Sequence, residues 1–356
     1  TTTSAEKLPL KLTRLEWFLI AAIALAWVAQ RAWTPPPSAQ GLSRTSSSWQ
    51  EQEKKTRGEI HRTMESDRAA LEHKLRGNPA LWRRFQWVIF GVMGVVLGSL
   101  YQWGRLLLRR LSGAPPEPPL GSPAPATWGF RQIFRLVLGI FLVIQCSILF
   151  QTVLFRLFHP AWLDRRVGAL ADTLLVDLVA AAAAGWLLFR GRGAWDPARI
   201  SRSVGQAFRF YLLAAPLLVG VLMAVAAVLN LLKIEPAPQP IFTMYLSEER
   251  TAVVRILLLL AVVAGPAAEE IFFRGLLYGW LRQRVGVRNG LMLSAFFFAL
   301  LHMDAVAFLP ILGLGLLFGW VYERTGSLAA PVAIHIFHNG GMLLVASVIK
   351  ALVTQA

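Results

Sequence analysis

The chain has 356 residues, of which 55% are hydrophobic and only 16% charged, and its net charge is +16. Its mean hydropathy is +0.52. Soluble domains carry roughly 25% charged residues, and several apolar runs here reach the roughly 20 residues that a helix needs to cross a bilayer, so a soluble globular fold is excluded.

The positive charge does not point to nucleic acid. Arginines cluster at the ends of apolar runs (Arg83, Arg84; Arg109, Arg110; Arg165, Arg166; Arg190, Arg192), where they anchor and orient membrane helices. No basic nucleic-acid-binding motif is visible. Cys146 is the only cysteine, which excludes an intramolecular disulfide and a multi-cysteine metal site.

In chain order, Lys7, Lys11 and Arg14 precede a first expected span, Leu15–Trp33. It has no obvious small-residue cleavage site, so it reads as a retained anchor rather than a signal peptide. Pro35, Pro36 and Pro37 open a polar, Ser-rich stretch. Trp49–Arg76 has the alternating charge of a helix, with Ile60, Met64, Leu71 and Leu75 in one narrow stripe. That stripe suits a solvated helix resting on the membrane face, or a homo-oligomer contact through residues 49–76. Gly77-Asn78-Pro79 ends it.

The second span is expected near Phe85–Gly104, with Gly91, Gly94 and Gly98 at helix-packing spacing. Ala114–Ala126 is Pro-rich and reads as an extended linker. Spans follow near Gln132–Phe155, Gly168–Phe189 and Gln206–Leu232. In the fourth, Asp172 lies near the helix end and is expected to be wet. Asp177 lies deeper and is expected to be a hydrogen-bonded carboxylate between helices.

From Glu248 to Lys350 the texture changes: Gly and Pro interrupt the apolar segments, and polar residues sit at depth. Spans are expected near Thr251–Leu281, Gly290–His302, Val306–Tyr322 and Leu328–Ile349, with a minimal turn at Asp304. The fold class is all-α, a polytopic membrane bundle of about eight or nine transmembrane helices. It divides into residues 1–33 (N-terminal segment and first span), 34–84 (an extramembrane polar loop with the charged helix), 85–247 (accessory spans and the linker 114–126) and 248–350 (a transmembrane core with polar residues at depth). Short-loop Lys and Arg place the N-terminus inside, and the residue usage points to a bacterial cytoplasmic membrane.

Ionisable groups at bilayer depth are costly and usually functional. Glu269 and Glu270 sit inside such a run, just after Gly265-Pro266. Proline lacks an N–H and kinks or restarts a helix, and at the first position of a restarted helix the dipole favours ionised carboxylates. Glu270 and Arg274 are four apart and suit a helix-stabilising ion pair. Glu269 points about 100° away, as a second partner for Arg274 or as a free carboxylate. His302 follows Phe298 by four residues; alone it reads as structural. His335 and Asn339, also four apart, share one helix face and suit interhelical hydrogen bonding equally well.

Together these residues suit hydrolysis. A carboxylate and an imidazole hold a water, the carboxylate taking its proton, while a second imidazole and an amide donate to the developing oxyanion. Glu269, His302 and His335 also number the three protein ligands of a catalytic zinc, although no H-E-x-x-H is present. A non-enzymatic immunity or binding protein and a proton-coupled transporter are the remaining alternatives; a transporter usually shows inverted repeats, and the halves here share no convincing similarity.

Glu269-Glu270-x-x-x-Arg274, Phe298-x-x-x-His302 and His335-x-x-x-Asn339, in that order, resemble the three motifs of the CPBP family, which includes the type II CAAX endopeptidases and bacterial Abi-type proteins. The resemblance covers the last hundred residues or so, without departure at the motif positions. It implies a helical intramembrane endopeptidase of glutamic type, without a cofactor, whose site opens toward the cytosolic side. By it Glu269 activates water with His302, His335 and Asn339 serve the oxyanion, and the partners are membrane lipid and a peptide or membrane-protein substrate.

Overall fold

The computed structural model describes residues 12–33, 68–158, 165–189, 196–234 and 240–354. Most of those residues are helical, and no strand occurs among them. The helices are α1 Arg14–Trp33, α2 Arg68–Gly77, α3 Pro79–Leu111, α4 Phe130–Phe158, α5 Arg165–Phe189, α6 Pro197–Leu231 and α7 Pro240–Ser247. A long composite helix follows: α8 Thr251–Leu259, a π turn Leu260–Ala264, α9 Gly265–Glu270, a second π turn Ile271–Tyr278, and α10 Gly279–Leu301. The last two are α11 Phe308–Thr325 and α12 Ala329–Thr354. Of the expected helix Trp49–Arg76, residues 49–67 lie outside the described residues.

The protein is a polytopic helical membrane protein. Among the described residues, six helical stretches are long and apolar enough to cross a membrane: Pro79–Leu111, Phe130–Phe158, Arg166–Leu188, Pro197–Leu231, Thr251–Leu301 and Ala329–Leu352. The expected spans Leu15–Trp33, in α1, and Val306–Tyr322, in α11, are not among them. Thr251–Leu301 has 51 residues, roughly 75 Å at helical rise and too long for one crossing. Gly286 folds it in two, at φ 81° and ψ 172°, a backbone conformation open to glycine alone among common residues.

α3 and α6 are longer than their apolar cores because each starts outside them on a polar cap followed by proline. Asn78 Oδ1 accepts from the N–H groups of Ala80 and Leu81 at 3.0 and 3.1 Å. Asp196 Oδ1 does the same for Ala198 and Arg199. Each proline occupies a first-turn position where no N–H partner is needed. Hydropathy locates the part of a helix that sits in lipid; the caps locate where the helix begins.

The Pro-rich segment is extended, as expected, but it is pinned. The Glu117 carboxylate accepts from Arg105 and Arg109 of α3 at 2.8 and 2.7 Å and from Arg209 of α6 at 2.7 Å. Its carbonyl accepts from Arg324 of α11, and the Leu120 N–H donates to the Arg324 carbonyl at 2.9 Å. One end of the bundle is thus closed by arginines converging on one linker residue.

The opposite ends of α5, α8 and α12 meet at Glu248, which is 3% exposed. It accepts from Arg166 at 3.1 Å and from Arg250 at 2.8 Å. Lys350 Nζ donates to the carbonyls of Tyr245 and Glu248, a cation at the C-terminal end of α7 where the helix dipole favours it.

The expectation for the two aspartates of α5 is reversed. Asp172 is not simply wet: it accepts from Ser147 Oγ and Gln151 Nε2 of α4 at 2.5 and 2.7 Å. Asp177, expected to be hydrogen-bonded, has a buried Oδ2 with no hydrogen-bond partner among the described residues. The difference is one of neighbours. Asp172 faces the polar side chains of α4, whereas Asp177 faces the composite helix at Gly265.

Hydrogen bonds from Arg250, and then from Arg166, hold the Glu248 carboxyl down to about 2. Its contribution to stability is complete above the ordinary carboxylate range and is lost as pH falls through that depressed value. Glu248→Gln is therefore expected to melt below the wild type at pH 7, and the two curves to converge as pH falls toward 2. Thermal unfolding in detergent across that range measures it.

Candidate active site

The site is assembled on the composite helix. Leu260–Ala264 forms a π turn in which the Gly265 N–H bonds the Leu260 carbonyl. The next residue, Pro266, has no N–H to give, so the Ala261 carbonyl lacks its partner along the helix. Asn339 of α12 supplies one: its Nδ2 donates to Ala261 O at 2.9 Å. An unpaired buried carbonyl costs about 1–3 kcal/mol, so proline and asparagine are complementary halves of one contact. Proline does not break the helix; it changes its hydrogen-bond register.

The second π turn likewise attracts donors from outside. Trp128 Nε1 donates to Leu276 O at 3.0 Å and Ser294 Oγ to Phe273 O at 3.1 Å. π turns inside α-helices are rare and frequent at functional sites.

Between the two π turns, Glu269 and Glu270 have separate environments. Glu270 and Arg274 are both fully buried, and Arg274 Nη1 donates to Glu270 Oε1 at 3.0 Å. Arg274 Nη2 donates to the Gly315 carbonyl of α11 at 3.1 Å. Its guanidinium carbon lies 4.3 Å from the ring centre of Phe298 and 5.3 Å from that of Phe318, contacts worth about 2 kcal/mol or more when desolvated. The expected ion pair is present, embedded in aromatic rings. Glu270 Oε2 has no partner among the described residues.

His335 completes this cluster. Its Nδ1 lies 2.9 Å from Glu270 Oε1. A carboxylate paired with arginine accepts, so Nδ1 carries the proton and Nε2 is the nitrogen left for other work. Nε2 lies 3.8 Å from Glu269 Oε2. The ring stacks on Phe318 at 4.7 Å, with Phe298 edge-on at 6.0 Å. Glu269 is 35% exposed at its side chain against none for Glu270, so it is the carboxylate that a water or substrate reaches.

His302 is placed differently. It is exposed at the end of α10, and its Nδ1 donates to the Phe298 carbonyl at 2.7 Å, leaving Nε2 uncommitted. The Phe298 ring contacts both His302 and His335, at 4.8 and 6.0 Å between ring centres. The structure describes no hydrogen bond or ion pair between His302 and Glu269. It thus gathers Glu269, Glu270, Arg274 and His335 directly, sets Asn339 against the π turn that precedes them, and joins His302 to them through Phe298. Among the described residues no group of three or more His, Cys, Asp or Glu side chains is gathered closely enough to hold a metal ion, so the set Glu269, His302 and His335 is not assembled as a ligand shell.

Sequence reading missed two contributors, Phe318 and Gly315. Phe318 carries no chemical signal, being one more apolar residue in an apolar helix. Gly265 and Gly315 permit close approach: a Cβ on Gly265 would meet Leu260 O at 2.9 Å, and Gly315 offers the carbonyl to Arg274. His338, next to Asn339 on α12, is hydrogen-bonded to the Tyr211 hydroxyl of α6 at 3.1 Å.

Arg274→Met strips the buried Glu270 of its charge partner and is expected to cost about 3–5 kcal/mol of stability. Adding Glu270→Gln should recover part of that loss. Thermal unfolding of the single and double variants in detergent tests both.

Residues 251–341 match the family model described as type II CAAX prenyl endopeptidase Rce1-like. YdiL of Bacillus subtilis (strain 168), a protein named as a membrane peptidase, is 27% identical over 86 residues, covering 24% of this chain and 35% of YdiL. The membrane-embedded CAAX protease MroQ of Staphylococcus aureus (strain USA300) is 33% identical over 89 residues, covering 23% of this chain and 36% of MroQ. The matched region therefore spans only about a third of the length of these relatives. No solved structure matches the chain. The matched residues 251–341 contain Glu269, Glu270, Arg274, His302, His335 and Asn339.

Proposed function

We propose that this protein is an intramembrane endopeptidase that hydrolyses peptide bonds of membrane-associated or lipidated proteins. The observation that carries the reading is the pairing of a reachable carboxylate, Glu269, with an imidazole nitrogen, His335 Nε2, across 3.8 Å, inside the segment that matches a peptidase family. The gap is too long for a direct hydrogen bond and suits a water or a substrate oxygen.

In this scheme Glu269 takes a proton from water as general base. The hydroxide oxygen bonds to the scissile carbonyl carbon, and the carbon–nitrogen bond breaks as the proton passes from Glu269 to the leaving amine. His335 and Asn339 stabilise the oxyanion. For His335 this requires a proton on Nε2 as well, because the Nδ1 proton is engaged by Glu270; an imidazolium meets that need. Asn339 uses one amide hydrogen on Ala261 and keeps the other. Glu270 and Arg274 hold the His335 ring and take no part in proton transfer. His302 keeps Nε2 uncommitted and is given no step in this scheme. The catalytic type is glutamic, and no step is assigned to a metal.

The arginine-rich end of the bundle is assigned to the inner face of a bacterial cytoplasmic membrane, with the N-terminus inside, because cytoplasmic loops carry the excess of Lys and Arg.

Glu269→Gln is expected to lower kcat by about 10²- to 10⁴-fold, and His335→Ala by about 10²- to 10³-fold as an oxyanion donor is lost. Both are measured on purified protein with an internally quenched peptide. Undiminished turnover by Glu269→Gln removes the base from the scheme.

A further inference from the structure

Asp177 lies midway along α5, a helix that packs against α9 but falls outside the segment matched to the peptidase family. A carboxylate at that depth is costly to place. Three observations direct it toward the site. Its Oδ2 lies 3.7 Å from the position a Cβ would take on Gly265, so it approaches the composite helix where glycine leaves room. That oxygen is buried and has no hydrogen-bond partner among the described residues. The carboxyl group also lies within Coulombic reach of Glu269 on the next turn of the same helix.

We propose that Asp177 belongs to the site, its Oδ2 accepting a hydrogen bond from the water that Glu269 deprotonates. The inference rests on the endopeptidase reading above. Ionised carboxylates are acceptors only, so the two do not bond to each other; a species between them must donate to both. Water does this with its two hydrogens. One goes to Glu269 and is transferred during the reaction. The other stays on the oxygen and points at Asp177, which neither gains nor loses a proton. With both hydrogens directed, the oxygen lone pair is left facing the scissile carbonyl, an orientation that counts strongly toward rate.

This assignment gives the accessory helices a part in the chemistry. The matched segment supplies the base and the oxyanion donors, and α5 supplies the second acceptor that fixes the nucleophile.

The test compares the full-length protein with Asp177→Leu, Asp177→Ala and Asp177→Asn on a quenched peptide, with Glu269→Gln and the wild type alongside. Asp177→Leu, nearly isosteric but unable to accept, is expected to lower kcat by about 10- to 100-fold with KM little changed. Asp177→Asn keeps an acceptor oxygen and is expected to recover most of that loss. A lost acceptor touches kcat and spares KM, whereas a loosened helix would move both along with the melting temperature. Asp177→Ala decides the matter if the leucine variant fails to fold. Wild-type kcat in a folded Asp177→Leu or Asp177→Ala protein overturns the proposal while leaving the endopeptidase reading intact. Activity that needs an added divalent cation and disappears with chelator also overturns it, by putting a metal where the water is placed. Absence of peptide cleavage by the wild type would instead strike the endopeptidase reading itself.

Discussion

The contact on which the site depends is the buried pair Glu270–Arg274. Two full charges with no solvent exposure are expensive to bring into an apolar interior, and breaking such a pair costs more than its formation returns. The surroundings therefore hold it from several sides at once. Arg274 reaches α11 through the Gly315 carbonyl, its face is covered by Phe298 of α10 and Phe318 of α11, and Glu270 holds His335 of α12. One ion pair thus fixes the mutual positions of four helical segments. The adjacent Glu269, turned to another face, is spared this structural duty.

A second constraint comes from proline. Pro266 removes one donor from a helix that cannot turn to water for a replacement. The helix responds with a π turn, and Asn339 closes the remaining carbonyl from α12. The same contact ties α12 to the turn that precedes the carboxylates. The second π turn binds Trp128 and Ser294 in the same manner, so irregular backbone at depth is everywhere matched by a polar side chain from a neighbouring element. The irregularities are docking points for the helices that carry the rest of the site.

The ends of the bundle obey different physics from its middle. At one end arginines converge on Glu117 and tie the linker across α3, α6 and α11; at the other, Glu248 gathers Arg166 and Arg250. These are charge clusters in which each carboxylate serves several cations. They set how far the helices can slide past one another, and so hold the depth at which Glu269, Asp177 and His335 lie.

Much of this was legible in the residues. Apolar runs of spanning length demanded a helical membrane bundle, because only a helix satisfies its own backbone in lipid. The spacing of Glu270 and Arg274 announced their ion pair, and three polar motifs in order announced the site. What one dimension could not carry was which polar groups meet. Asp172 and Asp177 differ in what faces them: the one expected to be wet is hydrogen-bonded, and the one expected to be hydrogen-bonded has a buried oxygen with no partner among the described residues. His302 matched its motif, yet it meets Phe298 rather than Glu269. The linker read as a spacer, because nothing in its prolines reveals that Glu117 lies under arginines from three helices. Local periodicity and the cost of charge in lipid determine from sequence that the chain is a helical membrane bundle, and mark Glu269, Glu270, Arg274, His302, His335 and Asn339 as polar residues set in its apolar segments. Only the packing of distant helices decides which oxygen is buried, which nitrogen is free and which carboxylate is left to act.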